Sequence, residues 1–226
     1  MRTVITFVIG VLLCTAATAQ LNKRPVTFSG GLEVAIPRGE FNDSWGQQMF
    51  GLSANLAVPM RRLPFDIGGD FSWARMGRET STVPVNEDFL EATTGTMEVT
   101  SNLHGYHALA RLKPFNGKVS PYVEGLIGLR HFSTTTTIAV DGMDQDLLHQ
   151  RDASNFVFSR GWAVGLQFTP TKIIYIEGRV ESLSGGKVTY VDPSTITISP
   201  SGDVSYGTQR SGTNVVNVHL GIGFRF

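Results

Sequence analysis

Alternation of apolar and polar residues is the feature that most constrains the fold of this chain. From about residue 25 to the end the dominant hydrophobic period is two, which is typical of a β-strand with one apolar and one polar face. The connections lack the period of an amphipathic helix, so the pattern predicts an all-β protein. Eight segments alternate, at approximately residues 26–36, 50–58, 65–73, 97–112, 122–137, 156–168, 174–181 and 216–226.

The connections between these segments alternate in length. An up-and-down antiparallel barrel has one edge of short turns and one of long loops, whereas parallel strands would need helical crossovers. The sequence therefore predicts an eight-stranded antiparallel up-and-down β-barrel, with the phase of the fourth segment ambiguous. The short connections are Pro59–Pro64, Lys113–Ser120 and Thr169–Thr171, and the long ones are Arg38–Gln47, Arg78–Thr96, Ile138–Ala153 and Lys187–Gly212.

The two faces of the segments differ in a way that indicates their environment. One face carries large aliphatic and aromatic residues, and the other carries Gly, Ser, Asn and charged residues. An apolar exterior around a polar interior is typical of a barrel in lipid, where only a closed sheet leaves no unpaired strand edge. The prediction is therefore a transmembrane barrel. A water-soluble sandwich or lipocalin-like barrel, with its apolar face inward, is the alternative.

The first twenty residues are typical of a secretory signal peptide. Arg2 precedes an apolar run from Val4 to Leu13, and Ala17 and Ala19 supply small residues for cleavage. The run is shorter than the roughly 20 residues of a transmembrane helix. We therefore expect a cleaved signal peptide at residues 1–19 and a barrel domain at residues 20–226.

Composition and motifs argue against several classes of function. The 19 basic and 19 acidic residues balance, so no strong field attracts nucleic acid. One cysteine, Cys14, excludes a disulfide scaffold and a cysteine-based zinc site. Hydrolase, metalloprotease and phosphate-loop motifs do not occur, and the acidic stretch Asp141–Asp146 lacks EF-hand spacing. We expect no cofactor, no resident metal and no enzymatic activity.

Charged residues on the polar face predict a lumen filled by side chains. An eight-stranded barrel is just wide enough for side chains to fill, and buried charges require partners. We expect a structural network of ion pairs, to which Arg111 is a further candidate, and no general porin activity; a conducting path is the alternative. The predicted network is Glu33, Asp66, Asp70, Glu124, Arg130, Glu177, Arg179 and Glu181.

Two arginines keep the phase of the apolar face near the long-loop edge. Arg75 and Arg160 each lie two residues from a tryptophan of the same face, Trp73 and Trp162. One hypothesis is that they bind lipopolysaccharide phosphates, which arginine can bond bidentately. The alternatives are snorkelling to water, or a bulge that turns the side chain inward.

Two further features allow a chemical interpretation. His131 and Ser133 form a His-x-Ser pair that resembles outer-membrane lipid A deacylases, but Thr134 follows where that family has Asn, and no acidic partner is evident. The favoured interpretation is a chance pair. The connection Lys187–Gly212 contains alternating β-branched residues, which predicts an exposed hairpin whose edge could recruit another strand.

The signal peptide, the eight segments and the closing stretch NVHLGIGFRF resemble the small outer-membrane β-barrels of the OmpA/OmpX/OmpW type. The closing stretch is similar to the C-terminal signal read by the barrel-assembly machinery, carried here by Gly221, Gly223, Phe224 and Phe226. The stretches Gly31–Phe41 and Ser120–Phe132 resemble the same family. The resemblance implies an outer-membrane location, with termini and short turns in the periplasm and long loops outside.

The resemblance specifies architecture better than activity. The leading hypothesis is a monomeric, non-enzymatic structural or surface-interaction protein, adhesion-like in its long loops, in contact with outer-membrane lipid and lipopolysaccharide. The long loops carry twelve acidic and five basic residues, so they could also select an extracellular ligand of positive charge. Transport of small, hydrophobic molecules is the second hypothesis. A lipid A-modifying enzyme is the third.

Overall fold

The structure, a computed structural model, contains one closed barrel with additional elements at one end. No helix among its described residues is long and apolar enough to cross a membrane. The predicted signal peptide and the stretch Asp141–Asp146 lie outside the described residues. The structure describes residues 24–60, 65–85, 93–114, 117–140, 148–191, 195, 197–198, 204–205 and 207–226.

Eight antiparallel strands form the barrel. They are β1 (Thr27–Pro37), β2 (Met49–Pro59), β3 (Phe65–Val85), β4 (Thr93–Leu112), β5 (Val119–Val140), β6 (Leu148–Phe168), β7 (Ile174–Gly185) and β12 (Val215–Arg225). Each strand pairs with its neighbours in this order, and β12 closes on β1. The arrangement confirms the predicted eight-stranded up-and-down topology.

Four strands are longer than their alternating segments, which corrects two of the predicted loops. The connections predicted at residues 78–96 and 138–153 are largely strand, because β3 and β4 pair as far as Val85 and Thr93 and β5 and β6 as far as Ile138 and Leu148. Residues 78–96 are rich in Thr, and neither stretch carries a continuous apolar stripe. Polar β-branched residues still favour a strand, but alternation cannot detect it.

Two connections at the long-loop end carry structure of their own. Residues 38–47, predicted as a loop without helix, contain the short helix α1 (Glu40–Trp45), which ends at Gly46 in a left-handed conformation with φ of 66°. Gly46 suits this position because it has no Cβ to clash. The last connection forms the predicted hairpin from β8 (Lys187–Val191) and β11 (Thr208–Gly212), with β9 (Thr197–Ile198) and β10 (Val204–Ser205) as a second small pair.

Side chains alternate between the lumen and the outer surface, as the period of two requires. Outward residues form an apolar surface around the barrel. Leu32 on β1, for example, is 69% exposed, and Phe226 at the end of the chain is 65% exposed. Exposed apolar patches on soluble monomers rarely exceed a few hundred Å², so this exterior fits lipid and not water. Outward aromatic residues occur along this apolar band, and Phe71 and Tyr106 lie near its middle. Those at the short-turn end are Phe28, Phe65, Phe168, Phe224 and Phe226, and those nearer the long loops are Phe50, Trp73, Phe156, Phe158 and Trp162.

Candidate functional site

The lumen holds the charged residues that the sequence places on the polar face. The structure places all eight inside the barrel, each at most 5% exposed, and Arg111 lies among them with no exposure. They are not one cluster. Contacts divide them into two guanidinium centres, a third arginine near the long-loop end and an ion pair at the short-turn end.

The first centre is Arg111 on β4. Its Nε donates to Glu124 Oε1 at 2.5 Å, and its Nη2 lies 3.4 Å from Glu177 Oε1 on β7. The guanidinium carbon also lies 4.1 Å from the centre of the Tyr122 ring, a distance at which cation–π attraction contributes. Tyr122 donates its hydroxyl to Glu177. Arg111 therefore has acidic partners on β5 and on β7.

The second centre is Arg179 on β7. Its Nη2 donates to Asp70 Oδ1 at 2.5 Å across the lumen and also contacts Glu181 on its own strand. Its Nη1 donates to Glu124 Oε2 at 3.4 Å. Glu124 thus bridges Arg179 and Arg111, so that one carboxylate joins the two centres. Removing any member would leave buried charges without compensation.

Towards the long-loop end, Arg130 donates from Nη1 to the backbone oxygen of Thr213 at 2.5 Å. A cavity of about 10 Å³ lies beside it, lined also by Glu33 and Asn217. This volume is close to the minimum for one water molecule. Glu33, Arg130 and Asn217 are buried and pack around this small cavity.

At the short-turn end, Arg24 Nη1 lies 3.1 Å from Asp66 Oδ1. Lys113, which follows β4, is also buried, and its Nζ donates to Gln167 Oε1 at 3.3 Å. Burial lowers the pKa of Lys113 to about 8, an effect that the nearby Asp66 carboxylate opposes. Two basic side chains, Arg24 and Lys113, thus lie near the Asp66 carboxylate at this end.

An aromatic cluster closes the long-loop end of the lumen. We call Phe41, Trp45, Phe132 and Tyr190 the mouth cluster. Phe41 of α1 has no exposure, and its ring meets Phe132 and Tyr190 edge to face at 6.1 and 5.7 Å between centroids. Trp45 meets Tyr190 at 6.1 Å. The hairpin predicted to be fully exposed therefore packs one face on the barrel mouth.

Glu40 joins helix α1 to the same hairpin. Its Oε2 accepts a hydrogen bond from the Gly212 backbone N–H at 3.0 Å, and its Oε1 accepts one from Lys187 Nζ at 3.2 Å. The backbone N–H of Gly212, followed by the Lys187 ammonium, lowers the pKa of the Glu40 carboxyl below its ordinary value of 4.5. The mouth is held by packing inside and by these polar contacts outside.

The two outward arginines lie on the exterior, as their phase predicts, but in different surroundings. Arg75 is the last β3 residue before a register shift at Arg75/Gly77, and its guanidinium lies 5.7 Å from the centre of the Trp73 ring. Arg160 lies on β6 between exposed Phe158 and Trp162. The bulge beside Arg75 does not turn its side chain inward.

His131 has partners on both neighbouring strands. His131 Nε2 hydrogen bonds to Ser154 Oγ at 2.8 Å, and its ring stacks on Phe156 at 4.3 Å between centroids. His104 stacks on its other side at 5.6 Å. The described residues contain no group of three potential metal ligands. His131 is therefore the middle ring of a stacked row that runs across β4, β5 and β6.

Two close approaches explain glycines that face the lumen. A Cβ on Gly223 would lie 2.1 Å from the ring of Tyr175, its partner across β7 and β12. A Cβ on Gly165 would lie 2.2 Å from Tyr122. Each tyrosine ring lies over the glycine of the adjacent strand. Gly223 therefore has a packing role beside its place in the predicted assembly signal.

Alternation alone misses the neutral partners of the charged network. Asn55 accepts from Arg111 at 2.9 Å, Gln167 donates to Glu177 at 3.3 Å, and His219 hydrogen bonds to Ser53. Each has the inward phase of its strand, which is the signal that the sequence offers. Only the register shows which carboxylate or hydroxyl lies opposite.

Comparison with known proteins gives likeness of fold only. No protein-family model matches the chain, and no curated protein does. Among solved structures it is similar to a major outer membrane protein from Thermus thermophilus, with 15% identity over 89% of this chain and 99% of that one and a TM-score of 0.46. It is also similar to Ail, the attachment invasion locus protein of Yersinia pestis, with 18% identity over 89% and 97% and a TM-score of 0.45.

A third similar structure is OprG, an outer membrane protein from Pseudomonas aeruginosa, with 14% identity over 91% of this chain and 97% of that one and a TM-score of 0.41. The Ail structure is a complex with the heparin analogue sucrose octasulfate.

Proposed function

We propose that the protein is a non-enzymatic outer-membrane barrel with a surface-interaction role, in which the long-loop end faces outward. The observation that carries this proposal is the sheet extension, by which we mean the parts of β3 to β6 beyond the row Gly77–Ser101–Thr134–Ala153. Strands of 20 to 22 residues exceed the roughly 9–11 needed to cross a bilayer. The extension therefore stands above the membrane.

The sheet extension has an open edge on β3. β2 pairs with β3 only as far as Phe50 and Arg75, and among the described residues no strand pairs with that edge of β3 beyond this point. Arg78–Thr82 are exposed, whereas the inward residues Met97 and Val99 of β4 are buried. Unpaired strand edges can add a strand from another chain. A partner in extended conformation is therefore the class of ligand that this surface fits.

The filled lumen supports the same interpretation. Buried ion pairs occupy the middle of the barrel, and the mouth cluster closes one end. A passage for solutes would need most of these contacts broken at once. In planar bilayers we expect no stable large conductance, and such a conductance would contradict the proposal.

Shortening the β3–β4 hairpin tests the binding role. Glu79 and Val99 lie opposite each other, so replacing residues 79–99 by an Asn-Gly turn closes the hairpin at Arg78 and Thr100. Replacing residues 136–150 in the same way shortens the β5–β6 hairpin, which carries the other outer edge of the sheet extension, on β6, and leaves the β3 edge intact. Cells displaying each form are compared for adherence to surfaces coated with fibronectin, laminin or albumin.

We expect the wild type to adhere to at least one coated surface and the β3–β4 form to lose most of that adherence. The β5–β6 form retains it. Equal adherence of the β3–β4 form and the wild type, with both folded in the outer membrane, would exclude the edge as the binding surface. No adherence of the wild type to any surface above cells lacking the protein would contradict the interaction role.

A further inference from the structure

A groove on the outer wall of the barrel has no role in the fold or in the sheet extension. It has a volume of about 690 Å³ and crosses the exteriors of β4, β5, β6 and β7. Its floor consists of small outward residues, Ala108, Ala110 and Gly125, with Ile127 and Trp162 as higher walls. A Cβ on Gly125 would meet nothing within 4 Å. The groove is therefore open and is not filled by the chain itself.

One end of the groove is polar. Arg160 is paired in register with Ile127 on one side and with Ser184 on the other, and Ser182 lies opposite Trp162. The guanidinium and the two hydroxyls thus lie together beside an apolar floor. All three side chains face outward and line the groove.

Arg160 lies within the apolar stripe of its strand and not beyond it. Phe158 continues the stripe towards the long loops at 51% exposure, and Trp162 continues it towards the short turns at 57%. A lipid-facing arginine is costly unless it reaches an interface or a partner. No described residue forms an ion pair with Arg160, so the structure leaves an anion to be supplied from outside the chain.

We infer that this groove binds one phosphorylated glycolipid of the outer leaflet, lipid A, with an acyl chain along Ala108, Ala110 and Gly125 and a phosphate on Arg160, Ser182 and Ser184. Arginine and hydroxyl donors suit a phosphate, and an apolar floor suits a hydrocarbon chain. A second copy of the barrel would fit less well. Among the described residues no carboxylate faces outward within the apolar band to neutralise Arg160.

The inference rests on the proposed outer-membrane location and is independent of the sheet extension. The experiment uses the full mature chain folded into vesicles of phosphatidylcholine that contain lipid A, phosphatidylglycerol or neither. After extraction into detergent, native mass spectrometry counts the lipid molecules retained on each barrel. A heat-modifiable gel shift, recorded for every form, shows whether the barrel has folded.

Two pairs of variants test the two ends of the groove. Gly125→Leu fills the floor, and Gly178→Leu is its matched control, because a Cβ on Gly178 also meets nothing within 4 Å and Gly178 lies outside the groove. Arg160→Gln removes the charge. Arg210→Gln is its control, since Arg210 is exposed on β11 and does not line the groove.

The expected result is one lipid A retained by the wild type and by both controls. Retention falls about tenfold in Arg160→Gln, as loss of a charged hydrogen bond implies. It also falls in Gly125→Leu, because the leucine side chain occupies the floor of the groove. Equal retention by all folded forms would overturn the inference, and so would preferential retention of phosphatidylglycerol. Barrel dimers that disappear in Gly125→Leu would identify a second copy as the occupant and would equally overturn it. A wild type that fails to fold in any vesicle would instead contradict the proposed location.

Discussion

The two halves of this barrel have strands of different length and meet the long-loop end in different ways. β1, β2, β7 and β12 contain 11 or 12 residues, whereas β3 to β6 contain 20 to 22. The shorter length alone is enough to cross a bilayer. α1 and the β8–β11 hairpin follow β1 and β7 of the short half and pack over the mouth, to which Phe132 of β5 also contributes, while β3 keeps an open edge. The connections of the short half therefore supply most of the closure, and the long half carries the open edge.

The lumen connects these halves. Arg179 and Glu177 belong to the short half, and their partners Asp70, Glu124 and Arg111 belong to the long half. Ion pairs across the lumen thus make one rigid unit of strands with different roles. Substitutions in the lumen, in the mouth cluster and at the seam between β7 and β12 should therefore differ in how much they destabilise the protein and in which part of it they affect.

Breaking the connection between the halves has the largest effect. Arg179→Leu leaves Asp70 and Glu181 buried without their cation, so we expect the free energy of unfolding to fall by about 3–5 kcal/mol. Urea unfolding in lipid vesicles measures this change. Arg75→Leu, on the exterior, should change it by no more than about 0.5 kcal/mol. Equal effects for the two variants would contradict a network that connects the halves.

A substitution in the mouth cluster should destabilise the long-loop end of the barrel and leave the remaining strands folded. Phe41 is fully buried between Phe132 and Tyr190, and Phe41→Ala should cost about 3 kcal/mol of local stability by leaving a cavity. We expect faster proteolysis within residues 187–212, with the heat-modifiable shift of the barrel retained. Phe50→Ala removes an outward ring and serves as the control. Unchanged proteolysis in Phe41→Ala would exclude the mouth cluster as the element that holds the hairpin.

The seam between β7 and β12 lies in the short half and contains an aromatic ring over a glycine. Gly223→Ala places a methyl group against Tyr175, so it should destabilise the barrel by about 1–3 kcal/mol through overpacking. Gly178→Ala on the outer face should cost much less, since its Cβ meets nothing within 4 Å. In a Tyr175→Ala background the cost of Gly223→Ala should shrink. If it does not, Gly223 acts through assembly and not through packing.

The smallest effect concerns the polar contact between α1 and the hairpin. The pKa of Glu40 is lowered in the folded protein, so its contribution is present above the ordinary value of 4.5 and is lost as the pH falls through the folded-state pKa. We expect amide exchange at Gly212 to be faster in Glu40→Gln at neutral pH. Exchange in the wild type, corrected for intrinsic rate, should approach that of the variant on acidification. A pH-independent difference would argue against ionised Glu40 as the acceptor.

The sequence predicts those strands whose two faces meet different environments, because only such strands alternate apolar and polar residues. A strand with one face in lipid and the other in the lumen must alternate, so β1, β2 and β12 match their predicted segments to within one residue at each end, while β7 continues four residues beyond its segment. Residues 78–96 and 138–153 have no apolar stripe, so the sequence predicts loops for that part of the sheet extension. Helix α1, with six residues, is too short to give a period.

The candidate sites also differ in how much of them the sequence predicts. Inward phase is a local property, so Glu33, Asp70 and Arg179 could be predicted to face the lumen from the sequence. The pairing of Arg179 with Asp70 joins residues 109 positions apart and needs the register of the closed barrel. The groove beside Arg160 needs four neighbouring strands at once. Sequence spacing within β6 shows the arginine and the tryptophan but not the floor beside them.

Heat-modifiable migration of the protein from an outer-membrane fraction tests the central claim most directly, because it reports the compartment and the closed barrel together. We expect the mature chain in that fraction, and we expect the unheated chain to migrate differently on a denaturing gel from the boiled chain. Arg179→Leu should lose this difference at a lower temperature than the wild type. A chain recovered in the soluble fraction, with no difference between heated and unheated samples, would contradict the account.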